Sequence, residues 1–292
     1  GNDAILLREN LLVFLRVVAL HHVVDMLAEG GVHERGEHVE LAGGGPVEHA
    51  ADAGGISRFP GLKSFSTLTG DVGRVYLNEF KNDLIASTSL GNTFRVDEAG
   101  TATNVTGVPV SGGGRVVFAE GEDELLMAAG GQIVYYNGDE TKILSTNAPI
   151  STHVGFIDSF VLAIEKDSGR FFHSGAGAPK SWSALDTFAA DGKPDNIRAM
   201  IITPFREVLL AGDKSIEQFE RLQSGTVPFF RRWSVGEGVT QPYAMMAADN
   251  AVFMLNRRRE VVRFSGQVSG PVGDDIGRAL ESLDDVTGAW MG

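Results

Sequence analysis

Five times along this chain an apolar run is followed, after a short polar turn, by a second and shorter one. The first members begin near Asp83 (DLIAST), Glu124 (ELLMAA), Ser159 (SFVLAI), Glu207 (EVLLAG) and Asn250 (NAVFML). Their followers read TFRV from Thr93, QIVYY from Gln132, RFFHS from Arg170, SIEQF from Ser215 and EVVRF from Glu260. Each run has strand length and is bounded by turn formers. The pairs recur at roughly 40-residue intervals, the period of four-stranded propeller blades. We therefore expect an all-β fold of propeller-like blades of antiparallel strands over residues 56–292. A β-sandwich with long hairpins is the competing architecture, and no WD, kelch or Asp-box signature accompanies the repeat. The 37 glycines supply the turns that either fold needs.

Residues 1–55 are different in kind. They hold five of the seven histidines (His21, His22, His33, His38 and His49), and the first lysine of the chain is Lys63. We expect one helix from about Ile5 to Glu29, then a loosely held segment without strand or helix periodicity. The apolar run from Leu11 to Val24 contains Arg16 and two histidines and is shorter than the ~20 residues a membrane span requires. No membrane partner is expected. Near the other end, Asp274 and Asp275 precede Ile276, Ala279, Leu280 and Leu283. Acids ahead of i, i+3, i+4, i+7 spacing predict a short amphipathic helix.

The reactive inventory is thin. With no cysteine there is no thiolate nucleophile or thiolate metal ligand. His21 and Asp25 share a helical face by i, i+4 spacing, but His22 points elsewhere, and His33 and His38 lie in glycine-rich sequence that fixes no geometry. No metal or other cofactor is expected. Asp158, Glu165, Asp167, Asp186, Asp191, Asp195 and Glu217 are the carboxylates from which a two-carboxylate sugar hydrolase might be built. Several stand in ordinary turn sequences, and Glu217 reads as a solvated or interface residue on a strand. Gly43–Gly45 and Gly112–Gly114 lack the Lys-Ser/Thr of a phosphate loop and read as linkers or turns.

The stretch from Trp182 to Phe230 carries the most specific pattern. It holds an aromatic anchor, a polar turn at Gly192–Asp195, an apolar strand, a hairpin through Gly212-Asp213-Lys214, and a second strand, Ser215–Phe219. In the order Trp182, Pro194, Asp195, Gly212, Ser215, Ile216, Glu217, Phe219, Pro228 and Phe229 it resembles the phage stabilisation family, the packaged-DNA stabilisation proteins of short-tailed bacteriophages. The resemblance covers roughly Phe59 to Leu283. It implies a virion structural protein, without catalytic activity, that binds beneath the portal after DNA packaging. It further implies a hexameric ring that extends the head-to-tail channel, helps retain the genome and seats further tail proteins. Members of that family continue beyond Gly292, so the chain is expected to be C-terminally incomplete. A carbohydrate-binding or glycoside-hydrolysing propeller is the alternative.

Charge bears on the partners. The formal net charge is −13, which disfavours general attraction to nucleic acid or to an anionic membrane. DNA in a channel is therefore expected to be accommodated without sequence-specific reading. Against this background Arg257-Arg258-Arg259 sits between two strands, with Arg263 beyond and with Arg231 and Arg232 after Pro228-Phe229. An arginine run at a hairpin tip is a candidate assembly contact for an acidic neighbour.

Overall fold

A strand that is apolar at consecutive positions must bury both its faces, and here the second strand of every four-stranded or larger sheet does so. The structure, a computed structural model, describes residues 38–43, 63–70, 72–222, 227–248, 250–264 and 268–272. No helix occurs among them. The helices expected at Ile5–Glu29 and after Asp275 fall outside the described residues.

Five sheets, antiparallel except for one edge pair, follow one another along the chain. The first blade is β3 (Val75–Phe80), β4 (Asp83–Thr88), β5 (Thr93–Val96) and β6 (Ala102–Asn104), paired in that order. Blade two begins with β7 (Thr106–Gly107), which pairs parallel to β11 (Glu140–Ile143) at the edge of β8 (Val117–Glu120), β9 (Leu125–Ala128) and β10 (Val134–Tyr136). The third comprises β12 (Ser151–Ile157), β13 (Phe160–Glu165), β14 (Arg170–Gly175) and β15 (Ala178–Ala189). Blade four comprises β16 (Ile197–Ile202), β17 (Glu207–Gly212), β18 (Ile216–Arg221) and β19 (Phe229–Val235). The fifth is β20 (Met245–Ala248), β21 (Ala251–Leu255), β22 (Val261–Phe264) and β23 (Val268–Pro271). This is a five-blade β-propeller arrangement, as the repeat predicts, and the sandwich alternative is set aside.

Packing follows from the alternation of a strand. On β9, Leu125 and Met127 join the core shared with the first blade, while Leu126 and Ala128 join the core shared with the third. On β17, Leu209 faces the fifth blade's core and Leu210 the third's. Consecutive residues thus serve opposite interfaces, so both must be apolar and the sequence reads as an unbroken run. The first strands, β3, β8, β12, β16 and β20, contribute to the walls of a central channel.

One strand lies where no period was visible. β1 (His38–Gly43) pairs antiparallel with β2 (Lys63–Thr69), and β2 places Leu68 against the free face of the first blade beside Val75, Ala86 and Phe94.

Candidate functional site

The motif residues from Trp182 to Phe229 gather at the junctions on either side of the third blade. Three physical devices hold them there. The first is apolar. Trp182 is buried in the core between blades two and three, and its indole Nε1 donates to the Pro179 carbonyl at 2.8 Å. Phe219 and Phe229 belong to the core between blades three and four. There Phe171 meets Phe219 edge-on at 5.0 Å, and Phe160 meets Phe229 at 5.5 Å. These are favoured aromatic geometries, each worth about 1 kcal/mol beyond the area buried. Ile216 points the other way, into the core shared with the fifth blade.

The second device is a carboxylate that ties a connector to a hairpin. Asp195 stands in the loop between β15 and β16. Its Oδ2 accepts the Lys214 backbone N–H at 2.6 Å and its Oδ1 accepts the Ser215 hydroxyl at 3.0 Å. Gly212 is required by this contact, because a Cβ there would lie 2.3 Å from Asp195 Oδ2. Pro194, exposed on the same loop, fixes the backbone just ahead of Asp195. Pro228 closes the far end of the blade, its carbonyl accepting the Leu222 N–H at 2.8 Å.

The third device is Glu217. The expectation of a solvated or interface carboxylate is corrected here: its side chain is 1% exposed. It stands two residues before Phe219 and so points to the same face, toward blade three. Glu217 Oε1 accepts the Gly192 N–H at 2.8 Å, and Oε2 accepts from Arg231 Nη1 at 3.1 Å. Arg231 also pairs with Asp191. The Asp191 and Glu217 carboxylates raise the Arg231 pKa further above its already high value. A buried charge is retained where it is both paired and hydrogen-bonded, and Glu217 meets both conditions.

The remaining candidate carboxylates are scattered. Asp158, in the β12–β13 turn, pairs with Arg206 and with Arg221 at 3.6 Å. Glu165 receives two hydrogen bonds from Arg170, at 2.8 and 2.9 Å. Asp167 occupies a left-handed turn position with φ 57°. Asp186 is half-buried on β15. Only Asp191 and Glu217 are brought to one cation, and Glu217 has no access to a substrate. Of the candidate metal ligands, His21, His22, Asp25 and His33 lie outside the described residues, and His38 is placed only by its backbone in β1. Among the described residues no group of three or more His, Asp or Glu is arranged to hold a metal ion. Gly112–Gly114 forms the connector into β8, where a Cβ on Gly112 would meet the Ala129 carbonyl at 2.4 Å; it is a turn, as expected.

Arg257 and Arg258 project from the β21–β22 hairpin and are exposed, whereas Arg259 is half-buried at φ 63°. Asn256 shapes the tip: its Oδ1 accepts the N–H groups of Arg258 at 2.9 Å and Glu260 at 3.0 Å, and its Nδ2 donates to Glu260 at 2.8 Å. Of the three arginines in the candidate contact, Arg257 and Arg258 are therefore the exposed ones. Arg232 pairs with Glu220 at 3.1 Å across the blade-four edge. Four polar groups not singled out in the sequence line or adjoin the central channel: Tyr76, Arg115, His153 and Tyr243. They stand on first strands or just before them, outside the apolar pairs from which the repeat is legible.

Two solved structures with related architecture support the fold. One described as YCF48 bound to D1 peptide shares 13% identity at TM-score 0.50, with 73% of this chain covering 71% of that one. A chain of the mitotic checkpoint complex shares 12% identity at TM-score 0.51, with 69% and 66% covered. BamB from Moraxella catarrhalis gives 12% identity, TM-score 0.48, and 66% and 62% covered, so this chain spans less than two thirds of that protein. No curated protein sequence matches the chain. The family model described as Bacteriophage P22 Gp10, beta-propeller, matches residues 46–263, a span that contains all ten motif residues. The chain therefore belongs to the phage stabilisation family of bacteriophage structural propeller proteins.

Proposed function

We propose that this protein is a non-enzymatic component of the phage head-to-tail connector. In this reading it binds below the portal, helps retain packaged DNA and offers seating surfaces to further tail proteins. The observation that carries the reading is the fate of the family motif. Its charged and polar members, Asp195, Ser215 and Glu217, are all engaged in hydrogen bonds that fix the connector between blades three and four onto blade four. A motif built this way preserves a rigid shape, which is what a part under load from confined DNA requires.

Surface features support the same reading. Phe205 and Val227, each 50% exposed, stand at blade-four turns, while Leu90 and Ile150 stand at turns on the opposite face of the disc. Exposed apolar tips on both faces suit a part held between neighbours. The subunits associate as a homo-oligomeric ring in the virion, with DNA passing without sequence-specific contacts. The test is sedimentation of the purified chain with and without portal rings. Co-migration with the portal in a fixed ratio is expected, and failure to bind portal rings contradicts the proposal.

A further inference from the structure

The turns at one face of the disc hold a cluster that is one negative charge short. Asp158, in the β12–β13 turn, pairs both with Arg206 of the β16–β17 turn and with Arg221 at the end of β18, the latter at 3.6 Å. The carboxylates next to these arginines in the chain are engaged elsewhere. Glu207 accepts from the Thr203 hydroxyl at 3.4 Å, and Glu220 pairs with Arg232 at 3.1 Å. Two guanidiniums thus share one carboxylate, and one positive charge is left over. Arg221 Nε is buried and has no hydrogen-bond acceptor, so the cluster is an acceptor short as well.

The surroundings make this a surface patch. The Arg221 guanidinium lies over the Phe160 ring, 5.3 Å from its centroid, while the Arg206 side chain is 73% exposed. Phe205 precedes Arg206 and Leu222 follows Arg221. The Leu222 N–H donates to the Pro228 carbonyl, which brings Val227 alongside. All three apolar side chains are exposed. An arginine framed by exposed apolar groups, one of them aromatic, has the composition of an interface hot spot.

The same chain carries the complement. β15, the edge strand of blade three, pairs Thr187 with Phe172 and Trp182 with Ser174, so that Ser183–Asp186 stand opposite His173 alone. The excess residues are looped out as a bulge, closed by the Leu185 N–H donating to the Ser183 hydroxyl at 3.2 Å. Leu185 at the tip is 88% exposed, more than any other large apolar side chain among the described residues. Asp186 follows it, and among the described residues no cation pairs with its carboxylate. An apolar knob followed by a free carboxylate matches a cationic patch rimmed by apolar side chains.

We infer that the Leu185–Asp186 bulge of one copy of this chain docks on the Phe205–Arg206–Arg221 patch of a second copy. Asp186 then supplies the missing negative charge, so that two carboxylates balance two guanidiniums. Bulge and patch lie on different parts of the molecule, so the contact joins unlike surfaces and passes head to tail from copy to copy. Such a contact closes into a ring when its rotation permits. The inference rests on the ring in the connector reading and names the surfaces that form it.

Sedimentation velocity on the full chain tests it with two variants. One lacks the knob (Leu185→Ser with Asp186→Ser) and the other the patch (Phe205→Ser with Arg206→Gln). Wild type is expected to self-associate reversibly as its concentration rises toward about 1 mM, and each variant alone at least about tenfold more weakly. An equimolar mixture of the two should form a dimer with wild-type affinity and stop there. The intact knob of one variant meets the intact patch of the other, and no second such contact is open. Urea unfolding reports that each variant is folded, and should Phe205→Ser unfold the chain, Arg206→Gln alone takes its place. A monomeric wild type, a variant that associates as well as wild type, or a mixture that stays monomeric overturns the inference. Portal rings added to the same runs keep the two ideas apart: wild type that does not bind them strikes the connector reading, whereas a failed mixture strikes only this contact.

Discussion

Removing the Glu217 carboxylate should loosen the junction between the third and fourth blades by an amount that the geometry bounds. The side chain is 1% exposed and makes two charge-assisted contacts, to Gly192 N–H and Arg231. Hydrogen bonds to a charged group contribute roughly 1.5–3 kcal/mol each when lost without replacement. Here both partners recover. Gly192 is exposed to water, and Arg231, with 40% of its side chain exposed, keeps Asp191. Glu217→Ala should therefore cost about 2–3 kcal/mol in total, less than the roughly 3–6 kcal/mol of two such bonds lost without replacement. Glu217→Gln, which keeps the shape and a weaker bond to Gly192, should cost about 1 kcal/mol. Arg231→Ala is the more revealing change, because it leaves a buried carboxylate without its cation. Combining it with Glu217→Gln should recover about 1 kcal/mol, since the stranded charge is then gone. Equilibrium urea unfolding followed by tryptophan fluorescence measures all four variants. Trp182 and Trp233, on either side of the junction, serve as probes. If Glu217→Ala lies within about 0.5 kcal/mol of wild type, or the double variant shows no recovery, Glu217 is not a structural tie.

Three further outcomes follow from the same structure. Gly212→Ala forces a Cβ against Asp195 Oδ2 and should cost about 2 kcal/mol, only part of it absent in an Asp195→Ala background because the Asn196 carbonyl oxygen would still lie 2.9 Å from that Cβ, as a double-mutant cycle would measure. His153 has a pKa of about 3 in the folded protein against about 6.5 unfolded. Between those values the unfolded chain alone binds the proton, so stability falls as pH drops through the window. The fall is about 1.4 kcal/mol per pH unit, and His153→Gln should remove that component of the slope in urea titrations at pH 6.5 and 4.5. Replacing Arg257, Arg258 and Arg259 together with Ser should leave monomer unfolding within about 0.5 kcal/mol, because Asn256 shapes the hairpin. It should weaken ring or portal association in sedimentation, most at low salt, and unchanged association would reduce the cluster to a solvated turn.

What the sequence made legible was decided by burial. The five pairs of apolar runs correspond to the second and third strands of the blades, β4/β5, β9/β10, β13/β14, β17/β18 and β21/β22, which pack on both faces. The first strands escaped because one part of each faces the channel. Tyr76, Asn78 and His153 interrupt any apolar pattern there. The outer strands escaped because they alternate irregularly across bulges, as β15 does opposite Phe172 and Ser174. Glu217 was misread for a related reason. Alternation puts it on the face of Phe219, but its partners, Gly192 and Arg231, come from another strand and a connector, at distances in sequence that no local pattern encodes. Arg115 and Tyr243 are farther apart still and meet only because the first strands of the blades converge on the channel.

The central claim is that the propeller works as a mechanical part of the virion that keeps packaged DNA in place. Phage particles assembled in cells lacking this chain, then incubated with the purified protein, measure it directly through nuclease-resistant DNA per particle over time. The account predicts that depleted heads package DNA but lose it, and that added protein restores retention. It predicts a poorer restoration from the triple arginine variant. Depleted particles that hold their DNA as long as wild type would contradict it.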